Sequence, residues 1–358
     1  VDLSFLGSIQ LKNILIRNHH SDTLIYVNNL SSSIFSYRNI VNNKMEFGEI
    51  SLEDFELHLT TYKGEDDDAL NVFVDKFDDG TGSDEPSGFL LTSSELDFEN
   101  GYVEIEDQNE PDEKTIFFKN ISGEVENFKL EGPNVYANIH EISFIDDRNI
   151  EVEKLTTDFT YTKSHMKFLH TSLQTKTSLI RAEVNFNYNR EDFSDFNNKV
   201  NIDASVSNAD ISLEDLQKFY SEFGDLDMLH FSTKITGTFN DLNFQNVALR
   251  SDRKALIYGS FNFKNVFEKD SVFSFNSDLL NFTSDYQHLK TTLPGILGKN
   301  LPPSFENLGR FSISGKSFYT KNLLDAQLRI NTDLGSAITD LELSNFNQIE
   351  KASYRGYV

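Results

Sequence analysis

The feature that most constrains this chain is an alternation of apolar and polar residues with a period of two. That is the mark of a strand with one dry face and one wet face. In the cleanest run, Ile180, Ala182, Val184, Phe186 and Tyr188 are separated by Arg181, Glu183, Asn185 and Asn187. A second run has Val200, Ile202, Ala204 and Val206 separated by Asn201, Asp203 and Ser205. Shorter runs occur at Leu96–Phe98, Val103–Ile105, Phe159–Tyr161, Ile235–Phe239, Ala326–Ile330 and Leu341–Leu343. Turn residues such as Glu99-Asn100-Gly101 and Phe239-Asn240-Asp241 interrupt them roughly every 8–12 residues, which predicts an antiparallel meander.

The alternation repeatedly stops and restarts in a new phase, as at Ile235–Phe239, Leu242–Phe244 and Val247–Leu249. A pattern of apolar-x-apolar, then Asn, Asp or Gly, then apolar-x-apolar recurs at 50–59, 96–105, 142–152, 235–249 and 328–343. Its spacing varies over roughly 20–45 residues, the range of repeat architectures. The expected fold is therefore mainly β: an elongated antiparallel β-groove, or β-taco, with a few short helices. Two consecutive β-sandwiches would satisfy the same periodicity.

Three stretches depart from the β pattern. Leu70, Phe73, Val74 and Phe77 follow an Asp66-Asp67-Asp68 run at helical spacing. Ser212 with Asp215 three residues on reads as a capping box, followed by Leu213, Leu216, Phe219, Tyr220 and Phe223, with Gly224 as a stop. A third helix is expected over 284–297, disturbed by Pro294. The expected organisation is a β-groove module with a short helix at 1–80, an acidic loop at 81–88, and continuing repeats at 89–358. Short helices fall near 212–224 and 284–297. The chain opens and closes within strand-like pattern, and is expected to be a piece of a longer protein.

Composition narrows the function. Of 358 residues only 38% are hydrophobic, yet 32 are Phe and 13 are Tyr. So many aromatics exclude a disordered chain and favour thin, two-faced sheets over a thick core. A net charge of −25 repels phosphate backbones, so no nucleic-acid partner is expected. The lack of Cys removes disulfides, thiolate nucleophiles and thiolate metal sites. No run of 18 apolar residues is present to span a bilayer as a helix.

Motifs for chemistry are sparse. Asp75, Asp78, Asp79 and Asp84 cluster as candidate oxygen donors for Ca²⁺, but without the EF-hand spacing, and a solvated acidic loop is the favoured reading. The eight His include one adjacent pair, His19-His20, and no His-x-x-x-His spacing, so no metal site is expected. No nucleophile elbow, Walker loop or dinucleotide glycine pattern occurs. The expectation is a protein that is not an enzyme and has no cofactor.

What remains is the apolar strand face. It is either the inside of a closed sandwich or the lining of an open groove for acyl chains. For the groove, the expected lining is Val184, Phe186, Ile202, Val206, Phe239, Phe244, Leu328, Ile330 and Leu343. A lipid would be its ligand. Apolar transfer at about 25 cal/mol per Å² makes a tail of ~16 carbons worth on the order of 10 kcal/mol when fully covered.

Several segments resemble TamB-type proteins of Bacteroidota, within the TamB/AsmA-like family. They are Phe5–Asn13, Asp22–Leu30, Leu57–Gly64 and Phe73–Phe77, then Phe193–Asn198, Gly237–Leu242 and Gly335–Leu343. Each is strand-and-turn grammar, and the resemblance lies in their number and order along the whole chain. It implies a periplasmic β-groove whose full-length protein is anchored in the inner membrane. It further implies phospholipid transport towards the outer membrane, support of outer-membrane biogenesis, and a BamA/TamA-type outer-membrane partner met through parts outside this chain. The alternative is a scaffold or chaperone for outer-membrane β-barrel proteins, without lipid transfer.

Overall fold

The computed structural model describes residues 2–3, 8–34, 44–74, 76, 90–109, 115–224, 227–253, 255–268, 271–295, 297–346 and 348–358. Strand accounts for 67% of the described residues and helix for 13%, so the fold is mainly β, and among the described residues the strands do not close into a barrel. No helix among the described residues is long and apolar enough to cross a membrane. The candidate oxygen donors Asp75, Asp78, Asp79 and Asp84, and the acidic loop 81–88, lie outside the described residues.

The chain divides into two compact units, 1–176 with 189–194, and 177–188 with 195–358. Unit 1 is built on β1 (Asp2–Leu3), β2 (Ser8–Arg17), β3 (Thr23–Ile34), β4 (Lys44–Thr61) and β5 (Leu90–Asp107). It continues through β6 (Thr115–Glu131), β7 (Asn134–Asp146), β8 (Glu151–Tyr161) and β9 (His165–Thr175). Each strand pairs with the next in sequence, and the pairing is antiparallel everywhere except between β4 and β5.

That exception corrects the expected purely antiparallel meander. β4 and β5 are parallel, in register from Lys44↔Leu90 to Thr61↔Asp107. A parallel pair needs a crossover of about a dozen residues or more, and segment 62–89 supplies it. Within the crossover, α1 (Ala69–Val74) covers part of the predicted helix. The Asp68 carboxylate caps it by accepting from the amides of Leu70 (2.8 Å) and Asn71 (2.9 Å), and Ala69 is fully buried.

Unit 2 is an antiparallel meander. Its first strands are β10 (Leu179–Asn187), β11 (Asn201–Ser212), β12 (Met228–Thr238), β13 (Asp241–Ser251) and β14 (Leu256–Lys264). Then come β15 (Ser274–Asp285), β16 (Arg310–Thr320), β17 (Leu323–Thr332), β18 (Gly335–Ser344) and β19 (Ser353–Tyr357). Short helices occupy the connections: α2 (Phe196–Lys199), α3 (Leu213–Phe219), α4 (Tyr286–Thr292) and α5 (Leu297–Asn300).

Ser212 caps α3 as expected, accepting from the Glu214 amide at 3.2 Å. Asp215 does not complete a capping box. It is buried, and accepts from the hydroxyls of Thr177 (2.9 Å) and Ser178 (2.6 Å), tying the helix to the start of β10. Two helices therefore follow strand ends at one end of the meander, after β11 and after β15. The Gly224 amide donates to the Thr292 carbonyl at 2.9 Å, joining the loop after α3 to the end of α4.

Candidate apolar groove

Strand register decides which side chains share a face. In unit 2, Val184 lies opposite Ala204, Phe186 opposite Ile202, and Ala182 opposite Val206. The same face passes to Ile235 and Gly237 on β12, then to Phe244 and Leu242 on β13. It runs on through Phe261 and Phe263, Phe275 and Leu279, and Ile313 and Gly315. Leu328 and Ile330 on β17 and Leu341 and Leu343 on β18 complete it. Eight expected lining residues thus stand on one face: Val184, Phe186, Ile202, Val206, Phe244, Leu328, Ile330 and Leu343. The ninth, Phe239, lies in the turn after β12, where its ring packs on Phe196 (5.7 Å) and Phe267 (5.9 Å). Phe186 reaches Phe196 at 6.1 Å, so an aromatic row finishes the face at the end opposite α3 and α4.

The rings on this face touch each other across strands. Phe244–Phe263, Phe263–Phe275, Phe261–Phe275 and Phe282–Phe311 have centroids 5.6, 4.9, 5.9 and 5.7 Å apart. Such pairs stabilise a sheet by roughly 0.2–1 kcal/mol each. Yet among the described residues no phenylalanine is buried. Small or aliphatic positions at the foot of the layer are buried, including Ile202 (8% exposed), Ala204 and Ala326, while the rings above them stay half-covered. A layer closed under a second sheet would bury its largest side chains first.

The opposite face is polar. Asn243, Gln245, Asn262, Asn276, Asp278, Lys316, Asp325 and Gln327 line an open depression of about 440 Å³ across β13–β17, which Phe244, Phe261 and Phe318 also border. Strand alternation therefore sorts the two chemistries onto the two faces.

The breaks of phase are β-bulges. The β12–β13 register slips between Ser232 and Lys234, opposite the extra residue Asn246 in β13, which has φ of 51°. The slip keeps Phe244 and Val247 on the same side although they are three residues apart. Unit 1 has register slips of the same kind beside Asn100, Asn127 and His170, and Asn13 and Asp54 share their positive φ inside strands. Asn and Asp tolerate the left-handed conformation better than other side-chain-bearing residues, which is why they recur at these points. Their side chains bond across strands. Asn28 and Asn100 donate to the two Asp54 oxygens at 3.0 and 2.7 Å, and Asn138 donates to Asp158 at 2.7 Å, with His170 at 2.9 Å from its other oxygen.

Unit 1 has the same two-faced construction, although no lining residue was expected there. Ile25, Leu57, Val103 and Phe118 align across β3–β6, and Val135, Tyr161 and Met166 across β7–β9. The other face is a carboxylate ladder, with Glu53 beside Glu99, Glu95 beside Glu126, and Asp97 beside Glu124. The Asp97 charge, with loss of hydration and then Glu124, Glu49 and Glu126, holds the Glu95 carboxyl above its ordinary range.

One buried cluster brings together Ser, His and Asp without a triad's arrangement. Ser251 Oγ and Asp227 Oδ2 both lie 2.9 Å from the same nitrogen of His288, Nε2, while Ser284 Oγ meets Nδ1 at 3.2 Å. A triad puts its carboxylate and its nucleophile on different ring nitrogens, with the hydroxyl facing a cleft. Here Ser251 is buried and also accepts from the Ala255 amide, so the cluster fastens α4 to the β13–β14 turn.

No protein-family model, curated protein or solved structure matches this chain.

Proposed function

We propose that the apolar face of unit 2 holds the acyl chains of phospholipid. The observation that supports this most strongly is a single apolar face running from β10 to β18 with every described phenylalanine left partly uncovered. A tail lying on a one-sided surface has about half its area covered, so ~16 carbons would gain on the order of 5 kcal/mol. That is enough to hold a tail out of water and small enough to let it slide. The resemblance to TamB-type proteins extends the reading to a periplasmic bridge carrying phospholipid between inner and outer membranes. On that reading the full-length protein is inner-membrane anchored and meets a BamA/TamA-type partner elsewhere. No catalytic step or cofactor is part of the proposal.

The test is face-specific. A photo-crosslinking residue at Phe244 or Leu328 should label phospholipid in intact cells, and one at Asn262 or Gln327 on the polar face should not. Equal labelling from both faces would sink the proposal. A second reading is favoured by β19, whose five residues are all exposed: capture of a partner strand by main-chain pairing, as a scaffold for β-barrel proteins. Crosslinks from Tyr354 or Tyr357 to protein, with none from Phe244 to lipid, would select it.

A further inference from the structure

The turn between β2 and β3 carries the adjacent pair His19-His20, and folding brings Glu65, from the loop after β4, against both rings. His19 Nε2 lies 2.7 Å from one Glu65 oxygen and His20 Nε2 lies 2.7 Å from the other. The two rings stand edge to face with centroids 4.4 Å apart. One ligand atom from each of the three residues lies within 4.8 Å of the others. We propose that His19, His20 and Glu65 form a binding site for a zinc-class divalent transition metal.

The loops beneath are built to hold these three side chains. Asn18 Oδ1 accepts from the amides of His20 (2.9 Å) and Asp22 (3.0 Å), which fixes the turn. Asn18 Nδ2 donates to the Tyr62 hydroxyl at 2.7 Å, and that hydroxyl donates to Asp22 at 2.6 Å. The Tyr62 ring stacks on His20 with centroids 3.9 Å apart. From a third loop, Asn109 accepts from the Gly64 amide at 2.8 Å and donates to the Glu65 carbonyl at 2.9 Å. Three loops separated in sequence are thus cross-braced under one carboxylate and two imidazoles. Supporting contacts of this kind orient ligands and are part of what makes a metal site.

The donor set selects the ion. Two imidazoles and a carboxylate suit zinc, nickel or copper, whereas calcium takes an all-oxygen set. Donors about 2.0–2.1 Å from a tetrahedral ion stand ~3.3 Å from each other. The observed 2.7 Å contacts therefore need to open by only about half an ångström, which half-exposed side chains accomplish by small rotations. Each ring would turn its Nε2 lone pair to the ion and carry its proton on Nδ1. Three protein ligands leave a fourth position to water. The sequence alone hid the site, because its third ligand lies far along the chain and no spacing motif links it to the pair.

The test is titration of the metal-free chain with Zn²⁺ by calorimetry, and with Co²⁺ by visible absorption. Saturable one-to-one uptake is expected, with no comparable uptake of Ca²⁺ at this site. His20→Ala and Glu65→Gln should each weaken it by roughly tenfold or more. His170→Ala, which alters the separate His170–Asp158 pair between β9 and β8, should leave it unchanged. No saturable uptake, or uptake that His20→Ala and Glu65→Gln leave untouched, overturns the proposal.

Discussion

At the scale of single residues, the structure shows imidazoles working as electrostatic clips between strands. His230 on β12 bridges Asp210 on β11 (2.6 Å) and Asp252 beyond β13 (2.9 Å). The hydrogen bonds accepted by Asp252 and then Asp210 raise its pKa, against burial and the nearby Arg250 charge. A raised histidine pKa means that the folded state holds the proton more tightly. The stabilisation is therefore fully present below the unfolded-state value, and is lost as pH rises through the raised one. Asp210 shows the complementary shift, lowered chiefly by His230, and its share is lost as pH falls through the lowered value. His230→Gln should flatten the dependence of urea stability on pH as it rises above the ordinary histidine value of about 6.5, by about 1 kcal/mol or less because the partners are partly exposed. An unchanged pH profile would remove His230 from the account.

At the scale of elements, the bulges explain both what the sequence made legible and what it concealed. Alternation in Ile180–Tyr188 and Val200–Val206 specified strands and their dry side directly, because the period of a pleat is two. The restart at Val247 was visible, but only the left-handed Asn246 shows that it returns the chain to the same face. This makes a prediction about that residue. Asn246→Gly should be nearly neutral, whereas Asn246→Val, branched at Cβ, should cost about 1–2 kcal/mol in chemical denaturation. Equal effects would mean that the conformation of residue 246 does not matter. The parallel β4–β5 pair was illegible for a different reason. Both strands read as ordinary alternating runs, and alternation does not tell a parallel partner from an antiparallel one. The proximity of His19, His20 and Glu65 was illegible for a similar cause, since it is a property of two loops brought together and of no local pattern.

At the scale of the whole molecule, both units sort apolar and polar side chains onto opposite faces of an open sheet. In unit 2 the register carries Val184, Phe186, Ile202, Val206, Phe244, Leu328, Ile330 and Leu343 onto one of those faces, so most of the candidate lining could be read from alternation alone. Phe239 could not, because alternation does not say where a strand ends and its turn begins. Burial then separates these residues by use. Ile202 is packed at the foot of the layer, and an Asp there should unfold the unit, while Phe244 and Leu328 are half-exposed and should tolerate it better. The measurement that tests the central claim most directly is lipid extraction and mass spectrometry on the purified chain, compared with a folded Phe244→Asp, Leu328→Asp double variant. The account predicts co-purified phospholipid with the parent chain and its loss from the variant. A parent chain that is folded and free of lipid, or a variant that retains as much as the parent, would contradict it.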